Sequence, residues 1–468
     1  MSQLFSWRPD DDGLPPKQRA LAMLVLMVGT LMAVLDTNIV NIALPTIADQ
    51  LNVSSSVSVW VINVYQLVGA ASILAFAALG YRIGRYRLYI GGLFFFTLAS
   101  LGCALSPSIA WLVGCRAIQG LGAAAMMSIG PSLYRLIFPA RLLGRALGLS
   151  ALTVALGVAA GPAIGGLILA VASWPWLFII NIPAGAVLFF VAIKALPFEH
   201  GNQRAFDVPG AILSALALGA FVIMVDALSH THEMWRIIGL LVLSIAAAVA
   251  FIIRQRRYSN PLLPLVIFSE PRFSMAAITS LFSFVAQGMT FISLPFLFQS
   301  VQDYTPLESA LLFTPWPLAI MIAAPNAGRL ADRIRPPILS TIGLALLSAG
   351  IVSLALLSES PSVIDIVWRT ALCGLGFGFF QSPNNRELLG SLPPERSGSA
   401  SGVMASVRTF GQSIGAALVA LVLAGVVSAS EHEVPADIAL WIGGFAAVTA
   451  CLLSASRIVL FKSREPVV

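Results

Sequence analysis

The sequence predicts an all-α polytopic membrane protein with fourteen transmembrane helices. Of its 468 residues, 58% are hydrophobic and only 10% are charged, and the mean hydropathy is +0.90, whereas soluble domains carry about 25% charged residues. Apolar stretches of about 18 to 25 residues recur along the whole chain and leave no room for a soluble domain. The predicted helices cover residues 20–44, 57–79, 88–105, 109–133, 146–171, 174–195, 208–228, 237–253, 273–298, 310–330, 337–357, 363–388, 400–427 and 436–460.

The basic residues predict how these helices are oriented. The net charge is +6, but the Lys and Arg residues are concentrated in alternate loops, which excludes nucleic acid as a partner. If the N-terminus is cytoplasmic, all but four of the 27 Lys and Arg residues fall in cytoplasmic segments; the exceptions are Arg116, Arg369 and Arg408 inside spans and Arg236 in an outer loop. The positive-inside rule therefore predicts that both termini are cytoplasmic.

An internal repeat divides the chain, as is common in transporters. Residues of the second half follow their counterparts by 250 to 254 positions, so that helices 1 to 6 match helices 9 to 14. The matching pairs are Pro45 and Pro295, Tyr81 and Asp332, Arg116 and Arg369, and Gly161 and Gly415. The predicted segments are a cytoplasmic tail (1–19), a six-helix bundle (20–200), an inserted linker hairpin of helices 7 and 8 (201–260), a second six-helix bundle (261–460) and a cytoplasmic tail (461–468).

Helix 1 contains the carboxylate Asp36 in an otherwise apolar span. An ionised carboxylate in hydrocarbon costs several kcal/mol unless it faces water, pairs with a cation or takes up a proton. On a helix, Asp36 points away from Asn38 and Asn41, so we expect one side to face a cavity and the other a neighbouring helix. The repeat places Ala286 opposite Asp36, so this acid belongs to the first half alone.

Arg116 in helix 4 lies at the same depth as Asp36, since the two residues are about 10 and 12 Å below the outer surface. Opposite charges in one layer of one bundle can interact strongly, and two interpretations are open. The pair is either a static ion pair that orders the bundle, or a proton-coupled pair in which Arg116 tunes the proton affinity of Asp36.

Helix 5 carries the string GVAAGPAIGG, residues 157–166. Gly157, Gly161 and Gly165 recur every four residues and make a smooth groove for a neighbouring helix, and Gly166 follows directly. Pro162 removes one backbone hydrogen bond and favours a bend.

Two short basic loops stand at equivalent places of the repeat, LGYRIGRYR after helix 2 and GRLADRIR after helix 10. One interpretation is that their positive charges only set the orientation of the helices in the membrane. Alternatively, the loops form a clasp that bridges helix ends and favours one of two conformational states. The residues concerned are Arg82, Gly84, Arg85, Gly328, Asp332 and Arg333.

Several polar and aromatic residues at mid-span are candidates for the lining of a central cavity, although membrane aromatics also serve in packing. These candidates are Tyr65, Gln66, Gln119, Met126, Phe284, Phe291, Phe313, Trp316 and Gln381. Arg369 and Arg408 are expected to be interfacial or snorkelling side chains instead. The four cysteines lie inside apolar spans without metal-ligand spacing, so no metal site or cofactor is predicted.

The chain resembles the major facilitator superfamily, and within it the fourteen-helix drug:proton antiporter family of EmrB/QacA type, from about residue 20 to 460. The resemblance rests on LDTNIVNIALP (35–45), RAIQGLGAA (116–124), GVAAGPAIGG (157–166), WPWLFIINIP (174–183), FDVPG (206–210) and ASGVMASVRTFGQSIG (400–415). Ala77 and Tyr81 depart from the glycine and aspartate of the first loop motif in that family.

The resemblance implies a major facilitator fold, two six-helix bundles plus the inserted hairpin, that rocks about a central site and exports hydrophobic, often cationic compounds against inward proton flow. It implies that Asp36 is the protonation site, Arg116 its coupled basic residue, and the helix 5 glycines with Pro162 the conformational hinge. We expect a monomer in a bacterial cytoplasmic (inner) membrane, with lipid and small hydrophobic or cationic substrates as partners and protons as the coupling ion.

Two other function classes are weighed against this expectation. A proton-coupled or passive transporter of an endogenous metabolite is the first, and GVAAGPAIGG argues against it because symporters of the superfamily generally lack this string. A membrane enzyme or receptor is the second, but the sequence contains no nucleophile motif, metal cluster or phosphate loop to support an enzyme.

Overall fold

The structure, a computed structural model, describes residues 13–199, 201, 206–230, 233–258, 261–331, 333–358, 360–392, 397–425 and 435–461. These residues form fourteen long helices and no strand, and each helix contains a stretch long and apolar enough to cross a membrane. The helices are α1 Pro16–Gln50, α2 Ser55–Ile83, α3 Arg85–Ala104, α4 Ile109–Ile137, α5 Ala140–Val171, α6 Trp176–Ala195, α7 Val208–His230, α8 Met234–Arg257, α9 Pro271–Val301, α10 Pro306–Leu330, α11 Pro336–Ala355, α12 Val363–Gly390, α13 Ser397–Gly425 and α14 Pro435–Leu460. The predicted all-α polytopic fold is thereby confirmed.

Proline and threonine residues set where α10 begins. Pro306 occupies the first turn, where its missing N–H costs no hydrogen bond. The preceding Thr305 accepts a hydrogen bond from the Glu308 N–H at 3.3 Å, and the Glu308 carboxylate accepts one from the Thr305 N–H at 2.9 Å. This capping box starts α10 directly over the end of α5, where the two halves of the protein meet.

The helices pack in two groups, which we call the first bundle (α1–α6) and the second bundle (α9–α14). In the first bundle α1 packs on α5 and α6, and α4 packs on α2 and α3. In the second bundle α9 packs on α13 and α14, and α12 packs on α10 and α11. Contacts between the bundles are made by α2 with α13, α5 with α10, and α1 with α9.

The hairpin of α7 and α8 packs on the seam between α2 and α13. An apolar cluster formed by Leu67 of α2, Val222 and Val225 of α7, and Ala417 of α13 fills this contact. One of the two seams between the bundles is therefore covered by an additional helix.

Asp207 fixes the hairpin at its base. Its carboxylate accepts hydrogen bonds from Arg254 Nε at 2.5 Å, Gln255 Nε2 at 2.7 Å and the Gly210 N–H at 3.0 Å. Burial alone raises the pKa of this carboxyl, but the three hydrogen bonds outweigh it and lower the pKa below its ordinary value. The FDVPG string thus joins the start of α7 to the end of α8.

Candidate functional site

Asp36 lies in the middle of the first bundle and is almost completely buried. Three side chains from two other helices donate hydrogen bonds to its carboxylate. Arg116 Nη1 of α4 donates to Oδ2, while Gln119 Nε2 of α4 and Asn181 Nδ2 of α6 donate to Oδ1 at 2.8 and 2.9 Å. Asp36 and Arg116, which the sequence placed in one layer, are therefore in contact, and both side chains are fully buried.

Arg116 is held from several directions. Its Nε donates to the Val61 carbonyl of α2 at 2.9 Å, and its Nη1 also donates to Gln119 Oε1 at 2.7 Å. The guanidinium lies 4.2 Å from the centroid of the Tyr65 ring, within the range of a cation–π contact. Its Nη2 is buried without a hydrogen-bond partner, so the arrangement leaves a donor available for a rearranged state.

Asn181 was not among the residues predicted from sequence. It follows the short helical segment Trp176–Ile179 at the start of α6. Its amide points into the bundle, where it reaches Asp36. The signal that could have identified it is the position of an amide in WPWLFIINIP, between two apolar residues at the start of a span.

A cavity of about 770 Å³ lies between the two bundles. Asn38 and Asn41 line this cavity, whereas Asp36 does not. Tyr65 lines the cavity and also contacts the Arg116 guanidinium, so it lies between the buried ion pair and the cavity. Its hydroxyl donates to the Ala33 carbonyl at 3.4 Å.

Five of the nine predicted lining residues contribute to the cavity wall, namely Tyr65, Gln66, Phe284, Phe291 and Gln381. Gln119 is instead a ligand of the Asp36–Arg116 pair. Met126 was also wrongly predicted, because it turns toward Gly92 of α3, and its neighbour Met127 faces the cavity.

Phe313 and Trp316 form a second layer behind the wall. Their ring centroids lie 4.8 and 5.2 Å from that of Phe291, and both side chains are buried. They support the position of Phe291 without lining the cavity, so their predicted place was wrong.

Arg408 of α13 lines the cavity, contrary to the interfacial position expected for it. It is eleven residues from the start of α13, or about 16 Å along the helix. Its depth was the available signal, because a charged residue well inside a span is a functional candidate by default.

The cavity extends toward one membrane face, the one where α1 begins and α14 ends, which we call the terminal face. Its lining reaches Gly148 of α5, Pro325 of α10 and Asn385 of α12, within five to eight residues of the helix ends at that face. Toward the opposite face it stops at Asn41, nine residues before the end of α1. The protein is therefore in a conformation whose central cavity is directed to the terminal face.

Contacts between the bundles close the opposite face. Gln299 Nε2 of α9 donates to the Ile42 carbonyl of α1 at 2.9 Å. Ser413 Oγ of α13 and Asn63 Oδ1 of α2 are 2.8 Å apart in a hydrogen bond. These contacts lie beyond the end of the cavity and define a closed layer.

The glycines of α5 form the groove that the sequence predicts. A Cβ at Gly161 would stand 2.5 Å from the Asn38 Cβ, and one at Gly157 would stand 2.9 Å from Val34 Cγ1. Gly165 faces Ile39 in the same way, at 3.0 Å from its carbonyl oxygen, so α1 lies directly on this face. Pro162 is inside the continuous helix Ala140–Val171.

Gly166 belongs to a different contact. A Cβ there would stand 2.5 Å from Ala310 Cβ of α10 in the second bundle. The string GVAAGPAIGG therefore joins α5 to α1 within the bundle and to α10 across the closed layer.

The basic loop after α2 is attached to the end of α6. Arg85 donates from Nε and Nη2 to the two oxygens of Glu199, at 2.7 and 2.6 Å. Gly84 has φ +97°, and a Cβ there would stand 2.5 Å from the Glu199 carbonyl oxygen, so only glycine allows this approach. Glu199 thus supplies a carboxylate to the loop in which Tyr81 replaces the expected aspartate, while Arg82 is exposed.

The second basic loop is described in part. Gly328 is near Ser382 of α12, whose Oγ would lie 2.9 Å from an added Cβ. Arg333 is exposed, and Asp332 lies outside the described residues. A clasp at this loop stays a prediction.

Comparison with known proteins gives one family and several full-length relatives. The Major Facilitator Superfamily model matches residues 26–416. The chain is 43% identical over 455 residues to the uncharacterized transporter YebQ of Escherichia coli (strain K12), which covers 97% of this chain and 98% of that protein. It is 31% identical over 406 residues to the riboflavin transporter RibZ of Clostridioides difficile (strain 630), with coverage of 86% and 87%. It is 35% identical over 433 residues to the multidrug resistance protein Stp of Mycobacterium tuberculosis (strain CDC 1551 / Oshkosh), with coverage of 90% and 79%.

Proposed function

The chain belongs to the major facilitator superfamily, and on that premise we propose that it is a proton-coupled antiporter that exports hydrophobic amphiphiles by alternating access. In this proposal it is of the fourteen-helix drug:proton antiporter type and works as a monomer in the bacterial cytoplasmic membrane. Both termini are cytoplasmic, so the cavity directed to the terminal face is open to the cytoplasm.

The observation that carries the proposal is the position of the Asp36 carboxylate. It is buried and accepts hydrogen bonds from three donors, and its partner Arg116 contacts Tyr65, which lines the cavity. A proton that neutralises Asp36 removes the attraction that holds Arg116, and the guanidinium then has reason to move. Tyr65 transmits this movement to the cavity wall because it contacts the guanidinium on one side and lines the cavity.

The shape of the cavity supports an amphiphilic substrate. Its wall combines the aromatic side chains Phe284, Phe291 and Phe377 with the amides of Gln66 and Gln287. A volume of about 770 Å³ is in the range of pockets that hold drug-sized ligands. The similarity to the multidrug resistance protein Stp is consistent with export of such compounds.

The test is transport in proteoliposomes under an imposed proton gradient, with fluorescein and rhodamine 6G as probes that share a xanthene core. We expect at least one probe to move in the direction opposite to proton flow, and Asp36→Asn to abolish the dependence of transport on the proton gradient. Asp365→Asn is the matched control, since Asp365 is paired with Arg369 outside the cavity. Gradient-independent transport by the wild type, or full coupling in Asp36→Asn, would contradict the proposal.

A second candidate is a transporter of an endogenous metabolite. It is favoured by the number of amide side chains that line the cavity, since these can bind a polar ring system, and by the similarity to the riboflavin transporter RibZ. Substrate movement in the same direction as the proton gradient would select this candidate.

A further inference from the structure

The charge of the cavity points to one class of substrate. Among the described residues that line it, Arg408 is the only charged side chain, and no described carboxylate faces the cavity. The other polar groups are neutral amides and hydroxyls, including Thr409 and Gln412 on the same helix. A substrate in this cavity therefore meets a single positive charge.

Arg408 differs from three other arginines that lie within the helices. Arg116 is paired with Asp36, Arg369 with Asp365, and Arg457 with Glu387 and Asn384. In the part of the chain that the structure describes, Arg408 has no hydrogen bond or ion pair. A ligand that displaces water from this guanidinium must replace the lost hydrogen bonds, and the cavity is the direction from which such a ligand can come.

The chemistry of arginine limits the chemical class of this partner further. Its planar fork of donors matches the two oxygens of a carboxylate or the oxygens of a phosphate, and such charge-assisted hydrogen bonds are among the strongest in proteins. A cation in the same cavity would be repelled by Arg408 without a facing carboxylate to compensate. Phe284 and Phe377, whose centroids are 5.7 Å apart, offer an apolar wall for the remainder of the ligand.

We propose that Arg408 is the anion-recognition residue of the cavity and that the substrate is an amphiphile with an aromatic body and an acidic group. This inference rests on the proposed function in taking the cavity as the substrate site. It reverses the charge expected from the family resemblance, in which the substrates are often cationic.

The test compares the binding of two probes with one ring system, 1-naphthoate and 1-naphthylmethylammonium, to the purified protein in neutral detergent by titration calorimetry. We expect the carboxylate to bind about tenfold or more tightly than the ammonium, as a charge-assisted hydrogen bond predicts. Arg408→Gln is expected to lose this preference, and Arg408→Lys to keep most of it. Arg236→Gln removes an exposed arginine outside the cavity and is expected to change nothing.

Equal or tighter binding of the ammonium, undiminished binding of the carboxylate by Arg408→Gln, or no binding of either probe at millimolar concentration would overturn the inference. If Arg408→Gln does not fold, the comparison of the two probes on the wild type decides alone. No proton gradient is present in this assay, so a failure of proton coupling leaves its result unchanged, and the two proposals can fail separately.

Discussion

Each bundle contains a completely buried arginine that is paired with a carboxylate, Arg116 in the first and Arg457 in the second, but the two are neutralised in different ways. Arg116 in the first bundle is bound to a carboxylate that is itself fully buried. Arg457 in the second bundle donates from Nη1 to Asn384 Oδ1 at 2.7 Å, and the Glu387 carboxylate is 3.5 Å away and 9% exposed. The first arrangement places two full charges at mid-depth beside the cavity, while the second is near the ends of α12 and α14 at the terminal face.

Among the described residues of the two bundles, only the first bundle therefore buries a carboxylate completely together with its arginine. Arg369, the counterpart of Arg116 in the repeat, lies at a similar depth in its helix but is paired with Asp365 one turn away on α12 itself. The repeat therefore has an arginine at matching sequence positions. The first helix of the first bundle carries an acid, Asp36, that binds this arginine, whereas the matching position on α9 is Ala286. Asp36 is the residue that distinguishes the halves.

The largest difference is expected between removing Arg116 and removing Arg457. Arg116→Gln leaves the Asp36 carboxylate buried without its cation, which should lower the free energy of unfolding by about 3 to 5 kcal/mol. Arg457→Gln should cost less, since Glu387 has some access to solvent and Asn384 can bind an amide. Thermal unfolding of both variants in detergent measures the difference.

The control for this measurement is the double variant Asp36→Asn with Arg116→Gln. It removes both charges and should recover much of the lost stability, because neutral amides can bind each other. Equal losses for Arg116→Gln and Arg457→Gln would show that the two sites are equivalent structural ion sites.

An intermediate effect is expected at two equivalent glycines, one in each bundle, that pack closely against a neighbouring helix. Gly161 lies against Asn38, and its counterpart Gly415 would place a Cβ 2.7 Å from the Val285 carbonyl oxygen. Gly161→Ala and Gly415→Ala should each cost about 1 to 3 kcal/mol through overpacking. The same unfolding assay applies, with Gly114→Ala as control, since nothing lies within 4 Å of a Cβ there. A loss at only one of the two positions would mean that the α1–α5 and α9–α13 contacts are not equivalent.

The smallest effect is expected at the Asp365–Arg369 pair. These side chains are 29% and 15% exposed and one helical turn apart, so Asp365→Asn should lower stability by about 0.5 kcal/mol. Raising the salt concentration should reduce the wild-type stability by a similar amount through screening of this pair. A loss of stability as large as that of Arg116→Gln would contradict the contrast between a fully buried and a partly exposed ion pair.

The sequence was sufficient for the fold and for the layer in which the central pair lies, because hydropathy and depth follow directly from position along a helix. The depths of Asp36 and Arg116 placed the two residues in one layer, but depth alone did not show that α1 and α4 present them to each other. The rotation of each helix was not available, and it decides whether Met126 or Met127 faces the cavity and whether Gln119 binds Asp36 or a substrate.

Two arginines show the same limit. Arg457 was counted with the cytoplasmic basic residues, but it is completely buried, because α14 continues to Leu460 and turns this side chain onto α12. Arg408 was expected at an interface, but it faces the cavity. Sequence position gives the distance of a charge from a helix end, and packing alone decides where the charge points.

The depth at which the cavity ends has a consequence for the electrical part of the proton-motive force. Water in the cavity carries little of the transmembrane potential, so the potential falls mainly across the closed layer, where α1 runs about 14 Å from Asn41 to Gln50. In the proposed cycle a proton on Asp36 is electrically on the terminal side of this layer in the present conformation, and on the other side after the bundles rock. The transmembrane potential would then do most of its work on the proton during the conformational step itself, about 2.3 kcal/mol per 100 mV for each charge.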